Sequence, residues 1–224
     1  HEFALGNTFA RNRFGNYVRA RTKPVNPRSD RQNAARVAIM QLATQWRSDP
    51  MTDVIRTAWE TYANSVAWNN KLGETVKLTG FNMFIRANAA LLAIGQAIVT
   101  AAPTDLGLPA GDPVMQVSEC SAGAQTFTLT FDDTMDWDSE IGAFLVLEQG
   151  EPQNPTRNFF GGPWRTGAYM SGRVEPPLTS PHINTPTVPF TFVEGQKIWW
   201  RAHIIRADGR VSSKFECDPV LAVV

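Results

Sequence analysis

The sequence predicts an α+β protein in several parts: an extended basic N-terminal arm with a β-hairpin, a small three-helix unit, and an antiparallel β-sandwich of the immunoglobulin or fibronectin type. Three observations lead to this prediction. Helical periodicity is confined to the first hundred residues. From residue 101 onward it gives way to prolines, glycines and short alternating runs, which are typical of strands and turns. Basic residues are concentrated ahead of the first helical pattern.

The same changes of pattern set the predicted boundaries. We expect an arm at 1–28, a helical domain at 29–100, a linker at 101–112 and a sandwich at 113–224. Hydrophobic residues make up 43% of the chain and charged residues 19%, which is typical of a folded protein. No apolar run is long enough for a membrane helix, and the first residues do not read as an export signal, so we expect neither.

The net charge of zero conceals a strong asymmetry along the chain. Residues 1–36 hold eight basic and two acidic residues, a net charge of +6. Residues 37–102 carry +1, and residues 103–224, with eight basic and fifteen acidic residues, carry −7. One end is positive and the other negative, which favours contact between copies of the chain or with another acidic partner.

The arm contains the pattern of a β-hairpin, with short strands at 8–10 and 17–21. Alternation along the second strand places Tyr17, Arg19 and Arg21 on one face, which is therefore cationic. An isolated two-stranded hairpin is only marginally stable in water. The arm therefore needs a partner surface, either the helices of its own chain or another subunit.

Capping residues mark the starts of three predicted helices. Ser29 and Gln32 form a possible capping box, Thr52 and Thr79 are N-cap candidates, and Gly95 is a natural C-terminal stop. The first helix, ending near residue 46, is predicted to bury one stripe of apolar residues: Ala35, Ile39, Leu42 and Trp46.

Seven short apolar or alternating runs are strand candidates, and about seven strands suit an immunoglobulin-like sandwich. They lie at 115–120, 126–131, 143–148, 165–174, 188–192, 197–206 and 210–215. The turn Asp208-Gly209 between the last two runs is a strong hairpin pattern.

No arrangement of residues in the sequence is typical of an active site, a cofactor site or a metal site. The acidic stretch 132–140 lacks the glycine and the distant glutamate of a helix-loop-helix calcium site. His1, His182 and His203 are scattered, without a neighbouring ligand at a recognised spacing. Nucleophile-elbow, phosphate-loop and Cys-x-x-Cys patterns are missing from the sequence. We therefore expect a protein that is not an enzyme and that needs no cofactor.

Two cysteines, Cys120 and Cys217, flank the C-terminal half. A disulfide between them would close this half, and two buried free thiols are the alternative. The sequence leaves both open because the redox compartment is unknown.

The candidate docking residues of the arm combine basic side chains with two aromatic rings. They are Arg11, Arg13, Phe14, Tyr17, Arg19, Arg21, Lys23 and Arg28. They could contact nucleic-acid phosphates and bases, or dock on an acidic protein surface. We favour docking, because the same chain supplies an acidic surface.

Three segments resemble a group of proteins encoded by tailed bacteriophages and prophages: 15–32 (GNYVRARTKPVNPRSDRQ), 58–59 (AW) and 78–88 (LTGFNMFIRAN). The resemblance extends over about residues 5–95. It implies a structural place in the virion, with an Ig-like module at the C-terminus, and it transfers no functional residue to this chain.

We therefore predict a non-catalytic virion structural protein, a capsid-decorating (cement) protein or a tail or neck subunit. Its expected partners are other virion subunits and further copies of itself, as a homo-oligomer or lattice, with no membrane. One alternative is a host-surface or glycan-binding module in which exposed Trp137, Trp164 and Tyr169 stack on sugars. Another is a nucleic-acid-binding packaging protein.

Overall fold

The computed structural model describes residues 6–21, 26–70, 72–184 and 188–224. It is a mixed α/β structure with three α-helices and several antiparallel sheets, one of them four-stranded. The chain divides into two compact units, 1–37 and 38–224.

The first unit contains the predicted hairpin. Strands β1 (Asn7–Asn12) and β2 (Gly15–Ala20) pair antiparallel, with Phe9 opposite Val18. Gly15, the first residue of β2, has a φ of 121°, a backbone conformation that residues other than glycine rarely adopt. The predicted turn and both strands are thus confirmed.

The three predicted helices are present as α1 (Asp30–Arg47), α2 (Asp53–Ser65) and α3 (Gly80–Ala93). The Ser29 hydroxyl accepts a hydrogen bond from the Gln32 N–H at 3.4 Å, as expected of an N-cap. The reciprocal half of the capping box does not form, since Gln32 Oε1 has no partner among the described residues.

The other predicted helix boundaries are confirmed by their capping geometry. The Thr52 hydroxyl accepts from the Ile55 N–H, and the Thr79 hydroxyl accepts from the Asn82 N–H, each at 3.3 Å. Gly95 follows α3 with a φ of 74°, the left-handed conformation that ends many helices. A two-stranded ribbon, β3 (Trp68–Asn69) and β4 (Thr75–Val76), connects α2 to α3.

The buried stripe predicted for α1 is wrong in its first half. Ala35 is exposed and Ile39 is 52% exposed, whereas Leu42 is fully buried. Trp46 is half-buried, with its ring centroid 5.3 Å from that of Phe84. An apolar stripe is buried only where another element passes over it, and on α1 this holds only for the last turns.

The described residues of the second unit form nine further strands: β5 (Gln116–Ser121), β6 (Thr126–Thr130), β7 (Phe144–Gly150), β8 (Trp164–Ser171), β9 (His182–Asn184), β10 (Lys197–Ile198), β11 (Trp200–Ile205), β12 (Phe215–Glu216) and β13 (Val220–Leu221). They form a three-stranded sheet in the order β5-β6-β9, a four-stranded sheet in the order β12-β11-β7-β8, and the pair β10-β13. All three are antiparallel.

Two hydrophobic cores stabilise this unit. The first contains residues of both larger sheets, with the rings of Phe127 and Trp200 4.3 Å apart. The second joins buried residues of the helices to four buried residues of the strands and the loop after them: Phe144, Val146, Ile205 and Val211.

The helices and the four-stranded sheet therefore share one core. Pro103, within the predicted linker 101–112, is buried as well. The division at 29–100, 101–112 and 113–224 into separate domains stays a prediction.

Most strand candidates are found with small shifts of their ends, but residues 188–192 are not a strand. Pro189 lacks an N–H for a strand ladder. The Gln149 side chain instead satisfies the Phe190 backbone, accepting from its N–H at 3.2 Å and donating to its carbonyl at 2.8 Å. The candidate at 210–215 is reduced to a bridge at Val211 and to β12, although the Asp208-Gly209 turn is present.

Among the described helices, none has the length and apolar character that a membrane crossing requires.

Candidate functional site

The predicted docking residues lie on the hairpin and just before α1. Seven of them are described, and all seven are exposed: Arg11, Arg13, Phe14, Tyr17, Arg19, Arg21 and Arg28. Lys23 lies outside the described residues.

Most of these cations have no anionic partner among the residues that the structure describes. Across residues 6–21, 26–70, 72–184 and 188–224, no ion pair involves Arg11, Arg19, Arg21 or Arg28. The Arg13 guanidinium lies 5.2 Å from the ring centroid of Phe14. The arm therefore presents positive charge at Arg11, Arg19, Arg21 and Arg28 that no carboxylate among the described residues pairs with.

The hairpin also exposes an apolar face. Phe9 is 78% exposed and Val18 is 55% exposed, and because they are paired directly across the strands they lie on the same face. Tyr17 and Arg19 lie on the opposite face, as the alternation predicts. The two faces thus offer different chemistry to a partner.

Helix α1 adds exposed apolar side chains at Val37, Ile39 and Met40. Single exposed apolar residues are ordinary on a protein surface, but contiguous patches mark interaction sites. Of the predicted stripe, Ala35 and Ile39 are therefore open to contact with another molecule.

The aromatic residues proposed for sugar stacking are not all exposed. Trp137 is 1% exposed and packs on Phe131 in the first core, so its predicted exposure is wrong. Trp164 is half-buried, with the Arg201 guanidinium 4.3 Å from its ring centroid. Tyr169 is exposed. Burial of the large indole surface is favourable, and the acidic loop folds so that Trp137 faces inward.

The acidic stretch 132–140 makes both a local turn contact and an ion pair with a distant residue. Asp132 Oδ1 accepts from the Thr134 N–H at 3.0 Å, and Glu140 forms an ion pair with Arg206. Where the structure describes the chain, no group of three or more His, Cys, Asp or Glu side chains is placed to hold a metal ion.

Both cysteines are free thiols in the structure. Cys120 is buried in the first core, and burial raises the pKa of its thiol to about 12. The Cys217 thiol donates to the Trp200 carbonyl at 3.7 Å. At neutral pH Cys120 is thus protonated and unsuited to act as a nucleophile.

The structure brings together a charged cluster that was not predicted from the sequence. Glu148 lies directly opposite Arg201 across β7 and β11, and its Oε2 is 2.6 Å from Arg201 Nη2. Lys214 Nζ is 2.6 Å from Glu148 Oε1, and His203 Nδ1 is 3.8 Å from the same oxygen. Alternation along β11 puts Arg201 and His203 on one face, which is the feature of the sequence that could have revealed the pair.

Burial acts on the pKa values of two groups of this cluster, Glu148 and His203. It raises the pKa of Glu148, but the hydrogen bonds from Lys214 and Arg201 outweigh it and hold that pKa below its ordinary value. Burial lowers the pKa of His203 to about 4. At neutral pH the histidine is therefore uncharged, and its approach to Glu148 is not an ion pair.

The histidine makes the stability of the fold dependent on pH. Its folded pKa of about 4 lies below the ordinary value of 6.5, so between these values only the unfolded chain binds the proton. Stability is therefore lost as pH falls from 6.5 towards 4. We expect the free energy of unfolding to drop by about 2 kcal/mol between pH 7.5 and pH 5 on this account. Urea unfolding at both pH values measures the drop.

The variant His203→Gln should lose most of this pH dependence, whereas His182→Gln should keep it. Equal losses of stability between pH 7.5 and pH 5 in the wild type and in His203→Gln would contradict the assignment to His203.

Comparisons with protein-family models, with curated proteins and with solved structures find no match to this chain.

Proposed function

We propose that the chain is a non-catalytic structural subunit of a virion, a capsid-decorating (cement) protein or a tail or neck component. Its N-terminal arm is the docking segment, and its partners are other virion subunits and further copies of itself. The observation that carries the proposal is the exposed hairpin, whose apolar and cationic faces are both uncovered. The resemblance of three sequence segments to proteins of tailed bacteriophages and prophages supports a place in a virion.

The stability of an isolated hairpin supports a docking role. Two strands alone are only marginally stable in water, and the exposure of the apolar side chains of Phe9 and Val18 to water is unfavourable. Contact with a partner would bury this pair and order the strands. Extended arms of this kind often add to the edge of a neighbouring sheet, where main-chain hydrogen bonds provide affinity.

The distribution of charge supports an acidic protein partner. Residues 1–36 carry +6 and residues 103–224 carry −7, so the arm of one copy is complementary to the acidic half of another. In a symmetric lattice, many such weak contacts reinforce one another through effective concentration. A repeated subunit can therefore be held firmly by an arm whose single contact is weak.

We also propose that the strand-rich half is an immunoglobulin-like or fibronectin-like sandwich. The antiparallel pairing of its two larger sheets and their shared core support this assignment. In a virion subunit such a module would face solvent or neighbouring copies. The glycan-binding alternative is weakened, since Trp137 is buried.

Reversing two charges of the arm tests the docking role. We expect the double variant Arg19→Glu, Arg21→Glu to fall about ten-fold or more in incorporation into particles, because two attractive contacts become repulsive. Both side chains are exposed, so the melting temperature should stay unchanged. Quantitative mass spectrometry of purified particles measures the copy number.

A matched control is Arg47→Glu, Arg173→Glu, which makes the same charge change at two exposed positions outside the basic segment 1–36. Its incorporation should remain near that of the wild type. Unchanged incorporation of the arm variant would contradict docking. Loss of nucleic-acid retention with normal incorporation would instead support the packaging alternative.

A further inference from the structure

A cavity of about 290 Å³ lies between α3 and the four-stranded sheet. Its volume is close to the lower limit of pockets that bind small molecules in proteins. Ala89, Ala90 and Ala93 of α3 line one side, and Glu148 and His203 of the sheet line another. The cavity belongs entirely to the second compact unit.

The small side chains of Ala89, Ala90 and Ala93 leave the cavity unfilled and give it an apolar wall. Each alanine projects a single methyl group, whereas a leucine at the same place would extend into the cavity. Val146 and Val211 continue the apolar lining. A ligand of this cavity therefore needs a short apolar body.

The polar side of the cavity carries an excess of positive charge. Arg86 lines it and donates from Nη2 to the carbonyls of Val211 and Ser212, at 3.1 and 2.8 Å. Its guanidinium lies 4.5 Å from the ring centroid of Trp68. Among the described residues no carboxylate pairs with Arg86, and its buried Nε–H has no acceptor. A cation largely removed from water without an anion is costly.

The carboxylate that lines the cavity, Glu148, is paired with two other cations and forms no ion pair with Arg86. Glu148 accepts from Lys214 Nζ at 2.6 and 2.8 Å and from Arg201 Nε at 2.6 Å. His203 is uncharged at neutral pH, and its buried Nδ1 also has no hydrogen-bond partner in the described chain. The charged side chains that line the cavity are Arg86, Lys214 and Glu148. Arg201 pairs with the same carboxylate from outside the lining, so positive charge exceeds negative charge by two.

We propose that this cavity binds a small carboxylate with a short apolar body. Its carboxylate pairs with Arg86 and Lys214, and its apolar end packs against the alanines of α3. A planar guanidinium matches a carboxylate in geometry, and charge-assisted hydrogen bonds are stronger than neutral ones. The inference stands on the cavity and its charges, independently of any role of the arm in a virion.

Benzoate and its neutral analogue benzamide test the proposal on the full chain labelled at its alanine methyl groups. We expect sodium benzoate to shift the methyl resonances of Ala89, Ala90 and Ala93 in a saturable way. For a ligand of this size the dissociation constant should be on the order of 1 mM. Benzamide should bind about ten-fold or more weakly, since it has the same shape without the charge.

Three variants sharpen the test. Ala90→Leu fills the cavity and should abolish the benzoate-induced shifts. Arg86→Met removes the unpaired cation and should weaken benzoate binding about ten-fold. The exposed control Arg31→Met should bind benzoate like the wild type. Should Arg86→Met fail to fold, Ala90→Leu still tests whether benzoate binds in the cavity, and benzamide still tests whether binding needs the negative charge. The proposal is overturned by the lack of a saturable shift up to about 20 mM benzoate, by equal binding of benzamide, or by unchanged binding in Ala90→Leu. Tighter binding of inorganic phosphate at the same methyl groups would overturn it as well.

Discussion

Replacing Gly80 with alanine is expected to lower the free energy of unfolding by about 2–3 kcal/mol. Gly80 is the first residue of α3, and a Cβ there would lie 2.6 Å from the Glu60 nitrogen and 2.8 Å from the Trp59 carbonyl carbon. Both are backbone atoms of α2, so the two helices would have to separate. Melting of the variant by circular dichroism should show a drop of about 5–10 °C.

The sign of the change in stability separates two effects. Helix propensity alone would make Gly80→Ala more stable by about 1 kcal/mol, whereas the close contact between α2 and α3 makes it less stable. Gly123 provides the control, since a Cβ there would meet nothing within 4 Å. Gly123→Ala should leave the melting temperature almost unchanged. A Gly80→Ala variant as stable as the wild type would show that α2 and α3 do not approach closely at this point.

Removing the helices should unfold the strand-rich half. A fragment of residues 113–224 would expose the sheet side of the second core: Phe144, Val146, Ile205 and Val211. Burying each such side chain contributes about 1.5–3 kcal/mol, so the loss is comparable with the whole stability of a typical domain. We expect the fragment to lack a cooperative thermal transition and to aggregate.

The control fragment, residues 29–224, removes only the arm and keeps α1 with its N-cap Ser29. It should melt within a few degrees of the full chain, because none of the described arm residues belongs to either core. A fragment 113–224 that melts cooperatively near the temperature of the full chain would contradict a shared core. It would support the predicted division into separate domains instead.

Local features of the fold were predictable from the sequence. Thr52, Thr79 and Gly95 set helix ends through contacts within a few residues, so their roles can be read from composition and spacing. The hairpin of the arm follows in the same way from short runs around a turn.

Features that depend on distant contacts were not predictable. Residues 188–192 have the composition of a strand, but side chains from other parts of the chain, Gln149 and Gln125, satisfy the backbone of Phe190 and Phe192. Trp137 stands among acids that suggest a solvent-exposed loop, yet it is buried against Phe131. The contacts that decide the conformation of 188–192 come from residues 41 and 67 positions away, and Trp137 is buried by a core whose members range from Met115 to Ala222.

The candidate sites divide in the same way. The arm was predictable because its charge is a matter of composition. The charged cluster was not, since Glu148 meets Lys214 only because the strands fold together across 66 residues. Spacing along β11 indicates that Arg201 and His203 share a face, but it does not indicate which carboxylate they meet.

Amide hydrogen exchange of β1 and β2 tests the central claim, that the arm becomes ordered by docking, most directly. Exchange would be followed by mass spectrometry in the isolated protein and in the native assembly. The account predicts rapid exchange of the hairpin amides in the isolated chain and strong protection in the assembly, with the amides of β7 and β11 protected in both. Equal protection of the hairpin in the two samples would contradict it.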